Sequence, residues 1–188
     1  MKRTEVDAAV KVAQGEHGKF VRSLGQLTLA WSDAESALYA TLNHYAKVSD
    51  AVARSIFSGA RARVMMDYIE AIAANTKMPA ARRDDLKEVF AQTRTINTMR
   101  DMLAHHVDGS EQAFDPKDPT TRFLTNKRRI SRFEQIKEVL VGAKLIDQMC
   151  HDLNECCWRL IAHSDSPFVR GVGPTGKPPS APEWLSSL

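Results

Sequence analysis

The stretch FVRSLGQLTLAWSDAESALYATLNHY, residues 20–45, decides the fold class. Within it Phe20, Leu24, Leu27, Trp31, Ala34, Leu38, Leu42 and Tyr45 recur at steps of three and four. That spacing draws one apolar stripe along a helix and predicts helix over residues 17–46. Working outward, Ser49 or Asp50 can cap the free N–H groups of a second helix. That helix carries Val52, Ile56, Ala60, Val64, Tyr68 and Ile72 and ends before Met78-Pro79. A third starts near Pro79, with Asp84 and Asp85 by its positive end, and reads Leu86, Val89, Thr93, Ile96, Arg100, Leu103 and Val107 up to Gly109.

The next segment, SEQAFDPKDPTTRFLTNKRRI (residues 110–130), holds Pro116 and Pro119, which forbid a continuous helix. RFLTNKRRI reads as extended, one arm of a short hairpin. Ser131-Arg132-Phe133-Glu134 then forms a capping box and predicts a last helix bearing Ile136, Leu140, Ala143, Ile146, Cys150, Leu153, Cys157 and Leu160. After His163 the composition changes. Residues 165–188 hold five of the eight prolines and three of the nine glycines, too many for a regular element. Trp184 and Leu185 give this tail two apolar groups with which to dock. The expected architecture is all-α: an antiparallel four-helix bundle over residues 1–164, a hairpin insertion before the last helix, and a Pro/Gly-rich tail over 165–188.

Composition fits that picture. The chain has 188 residues, 43% apolar and 26% charged, which suits one folded domain with an extension and excludes wholesale disorder. No run of about 18 apolar residues suggests a membrane-spanning helix. The N-terminal MKRTEVDAAVKVAQGEHGKF lacks the apolar stretch of a secretory signal. Cys150, Cys156 and Cys157 are odd in number and clustered, so a disulfide framework is not expected and the location reads as cytoplasmic. A net charge of +3 is too mild to announce a nucleic-acid binder.

Arg100 breaks the pattern, because a seam position in a helix centre should be apolar. Such an arginine either snorkels to solvent, pairs with a carboxylate as scaffolding, or serves chemistry. In TINTMRDMLAHH (residues 95–106), Asn97, Arg100 and Asp101 share a face, and His105 lies one turn beyond Asp101. A carboxylate beside an imidazole fixes its tautomer, so one helix face offers a permanently charged fork and an oriented acid/base. These suit phosphoryl chemistry without a metal. Glu35, at the edge of the first seam, is either a solvated charge or a partner for Arg100. The basic groups Arg61/Arg63 and Arg82/Arg83 read as solvated faces. Lys127, Arg128, Arg129 and Arg132, following the proposed catalytic turn, suit RNA backbone contacts. No His-x-x-x-His or Glu-x-x-His spacing occurs, so no metal or other cofactor is expected.

RDMLAH (residues 100–105) resembles the signature of HEPN domains: Arg, a polar residue, a short spacer, then His. LTLAWSDAESAL (residues 27–38) is similar to the first helix of bacterial members. The resemblance covers residues 16–163 as architecture. It implies a metal-independent endoribonuclease, with two copies of the motif meeting across a homodimer. His105 would act as general acid or base in attack by a ribose 2′-hydroxyl, Arg100 would stabilise the phosphoryl transition state, and Asp101 would orient them. Products would be a 2′,3′-cyclic phosphate and a 5′-hydroxyl. Many members are toxins or phage-defence effectors, which places an antitoxin among the implied partners. Others are inactive and serve as dimerising or nucleotide- or RNA-binding modules. Three departures stand out: His106 also satisfies the spacing, Asp101 replaces the commoner Asn, and Val107 stands where some toxins carry a Tyr that an antitoxin modifies.

Overall fold

A computed structural model of the chain describes residues 3–105, 122–125 and 138–164. They form five helices and two short strands: α1 (Arg3–Ala46), α2 (Asp50–Phe57), α3 (Ala62–Asn75), α4 (Ala80–His105), β1 (Arg122–Thr125), β2 (Glu138–Val141) and α5 (Ala143–His163). The chain is predominantly helical, and among the described residues no helix is long and apolar enough to cross a membrane.

Three element boundaries differ from expectation. Helix α1 begins at Arg3, well before residue 17. The expected second helix is two helices: Ser49 does cap α2, accepting from the Val52 N–H at 3.5 Å, but the chain leaves the helix after Phe57. Gly59 there has φ +78°, left-handed backbone that glycine adopts without a Cβ penalty. Helix α3 then restarts from Arg61 with no side-chain cap. The last helix begins at Ala143, because Glu138–Val141 pairs antiparallel with Arg122–Thr125 as a strand, Leu140 opposite Phe123. The extended arm expected at Arg122 is therefore β1. The capping box at 131–134, the basic group at 127–132, His106, Val107 and the tail lie outside the described residues.

Contacts divide the chain into two units, residues 1–29 with 97–150 and residues 30–96 with 151–188. In the first, Phe20, Leu27, Met99, Leu103, Ile146 and Met149 are buried, and the Cys150 thiol reaches the Ser23 carbonyl at 4.0 Å. In the second, the stripe of α1 is buried through Trp31, Ala34, Leu38 and Leu42, as are Met66 and Ile69 of α3, Val89 and Phe90 of α4, and Leu153 and Leu160 of α5. Thr41 Oγ1 donates to both the Ala37 carbonyl (2.8 Å) and the Leu160 carbonyl (2.9 Å), tying α1 to α5. Arg94 joins α4 to α3: its two terminal nitrogens each reach one oxygen of Glu70 at 3.0 Å, and Nη2 also reaches Asp67 at 3.1 Å. The hydrogen bonds that Arg94 donates to Glu70 outweigh burial and raise the Arg94 pKa further.

Two glycines test this backbone with opposite signs. Gly25 is exposed inside α1 and Gly59 holds a positive φ; a Cβ meets no atom within 4 Å at either position. Gly25→Ala is expected to stabilise by about 0.5–1 kcal/mol, and Gly59→Ala to destabilise by about 1 kcal/mol. Urea denaturation checks both, with equal effects contradicting the assigned turn.

Candidate functional site

The Arg100 motif occupies the last turns of α4, in the first unit. Met99, Met102 and Leu103 fill the buried side of this segment, which turns Asp101 and His105 outward and leaves Arg100 and Asn97 half-buried. Arg100 is thus at the edge of the seam rather than its centre, its side chain 36% exposed. The Nε of its guanidinium is buried, so the charged group straddles the edge of the seam and does not stand wholly in solvent. Arg100 Nη2 donates to Asp101 Oδ1 at 3.0 Å. His105 follows one turn later on the same exposed face. Glu35, in the second unit, accepts a hydrogen bond from Trp31 Nε1 at 2.9 Å within α1.

The second unit holds a polar network that sequence spacing did not reveal. Arg159 of α5, 8% exposed, donates from Nε to Asp85 Oδ1 at 3.0 Å and from Nη2 to the same oxygen and to Glu88 (3.1 Å). His163 Nε2 lies 2.7 Å from the other oxygen, Asp85 Oδ2, and His163 Nδ1 lies 3.0 Å from Tyr45 Oη. Asp85 was legible only as a helix-start carboxylate, and His163 only as the last residue before the change in composition. Their partners come from the ends of three different helices, so no local spacing rule finds them. A buried charge within α5 was the available signal, at Arg159 beside Leu160. Burial alone would raise the Asp85 pKa, but the hydrogen bonds and charges of Arg159 and His163 outweigh it and hold the carboxyl below its ordinary 3.8.

The three cysteines are free. Burial pushes the thiols of Cys150 and Cys156 up to about 11 and that of Cys157 up to about 12, so none is a nucleophile near neutrality. Among the described residues no three His, Cys, Asp or Glu side chains converge to hold a metal ion. Comparison of the chain with protein-family models, with curated proteins and with solved structures returned no match.

Stability should report the buried network. Removing Arg159 leaves Asp85 without its main counter-charge, so Arg159→Ala is expected to cost about 3 kcal/mol. Arg94→Ala, at a pair 38% exposed on the arginine and Glu70 sides, should cost about 1 kcal/mol or less. Because the folded-state pKa of Asp85 is depressed, its contribution is complete above pH 3.8 and is lost as pH falls through the lowered value. Asp85→Asn should remove that part of the acid limb from a plot of unfolding free energy against pH. An unchanged limb would assign acid sensitivity to other carboxylates.

Proposed function

We propose that the chain is a metal-independent endoribonuclease of the HEPN type, a four-helix bundle working as a homodimer with a composite active site. The observation that carries this reading is that Asp101 and His105 are exposed one turn apart near the end of α4, with the half-buried Arg100 beside Asp101 and bonded to it at 3.0 Å. Chemistry on a large polyanion needs that access, and the three groups supply a fixed cation, an orienting carboxylate and a proton carrier.

In this mechanism His105 takes the proton of a ribose 2′-hydroxyl as that oxygen attacks the adjacent phosphorus. The bond from phosphorus to the 5′-oxygen breaks, and the corresponding histidine of the second chain protonates the leaving oxygen. Arg100 faces the phosphoryl oxygens as charge builds on them. A 2′,3′-cyclic phosphate and a 5′-hydroxyl result. Lys127, Arg128, Arg129 and Arg132 are proposed to hold the RNA backbone, which makes binding salt-dependent. An antitoxin partner and a cytoplasmic setting belong to the same proposal.

A second reading, an inactive HEPN-like module that binds RNA or nucleotides, draws support from the 3.0 Å pair between Arg100 and Asp101. A carboxylate on the guanidinium competes with phosphate for it.

Incubation of the purified chain with RNA in chelator separates the two. Cleavage is expected to fall by at least about 100-fold in both Arg100→Ala and His105→Ala. Asp101→Asn should tighten RNA binding roughly two- to fivefold, the scale of an exposed ion pair. Salt-sensitive binding without cleavage would favour the module, and cleavage surviving in both alanine variants would overturn the proposed site.

A further inference from the structure

Helix α2 is amphipathic in sequence, yet Ala53 is its one buried residue. Val52 is 43% exposed and Ile56 63%, one turn apart on the same side. Helix α3 repeats the arrangement with Val64 and Tyr68, also one turn apart and exposed. The rings of Phe57 and Tyr68, 6.3 Å between centroids, join the two helices at this surface. Scattered surface apolar residues need no explanation, but three aliphatics and a tyrosine on two consecutive short helices, bridged by the Phe57–Tyr68 ring contact, form a patch.

The charges around it are unbalanced. Arg61 and Arg63, beside Val64 at the start of α3, are exposed, and among the described residues no carboxylate lies within ion-pair distance of either. The nearby acids are already engaged: Asp50 accepts from Asn43 at 2.9 Å, while Asp67 and Glu70 hold Arg94. The surface thus presents an apolar centre with a net positive rim.

We infer that the α2–α3 face docks an acidic amphipathic helix of a partner protein. Helices of 8 and 14 residues span about 12 and about 21 Å, enough for a partner helix of two to four turns. Three other occupants fit less well. A second copy placed by a twofold axis sets the arginines of one patch against those of the other. An RNA backbone gains nothing from covering Val52, Ile56 and Val64. An anionic membrane meets Asp67, which is three residues from Val64 and one from Tyr68 with its side chain 54% exposed. A protein partner places its acids against Arg61 and Arg63 and away from Asp67, a selection that a laterally uniform anionic surface does not make.

The test is selection of helix-length peptides from a display library on the full chain, with counter-selection on the Ile56→Asp/Val64→Asp double variant. Both positions are exposed, and circular dichroism with thermal melting establishes that the variant folds. Enriched peptides should carry net negative charge and apolar residues at steps of three and four. Their affinity should fall at least tenfold in the double variant and in Arg61→Glu/Arg63→Glu, and should weaken with salt. Absence of enrichment, or enrichment of neutral or basic peptides, overturns the inference. So does binding of phosphatidylglycerol vesicles or single-stranded RNA that the double variant abolishes in place of peptide binding. Self-association in sedimentation that is lost in the double variant overturns it as well, assigning the face to a second copy.

Discussion

A guanidinium removed from water must be paired, and Arg159 imposes that requirement on the second unit. Its position on α5 is 8% exposed, and its partners Asp85 and Glu88 stand on α4. His163, one helical turn further along α5, takes the second oxygen of the same Asp85 and passes the connection to Tyr45 at the end of α1. Two residues four apart therefore read both oxygens of one carboxylate. A slip of α5 by one turn would strand Arg159 without counter-charge, at a cost of several kcal/mol. Apolar burial holds these helices together without specifying their register closely, and the directional contacts supply that register.

The long helices were legible because their apolar residues keep a three-four spacing and are buried for that reason; Leu27, Trp31, Leu38 and Leu42 lie at 4% exposure or less. The break between α2 and α3 was not legible, and the cause is instructive. Val52, Ile56, Ala60 and Val64 keep helical spacing straight through the turn at Gly59. Periodicity records what could lie on one face, and here exposure of Val52, Ile56 and Val64 means that burial was not the selecting force. Leu140 misleads in a similar way: it is in phase with α5, yet its backbone pairs with Phe123 in the two-stranded ladder.

Polar positions divide along the same line. The Arg100 motif was legible because its members are one, three and four residues apart, a spacing that one helix converts directly into a shared face. The Asp85–Arg159 contact joins positions 74 residues apart, and no pattern within either helix announces it. The two arrangements also differ in what they can do. A buried and mutually paired set fixes geometry, whereas an exposed set is reached by solvent and solutes.

The cysteines carry a practical consequence. With thiol pKa values of about 11 to 12, less than about one part in a thousand of any native cysteine is thiolate at pH 7.5. A single exposed cysteine introduced by mutation would outcompete all three for a maleimide. Site-directed fluorophores or spin labels can therefore be attached to the native background without first building a cysteine-free chain.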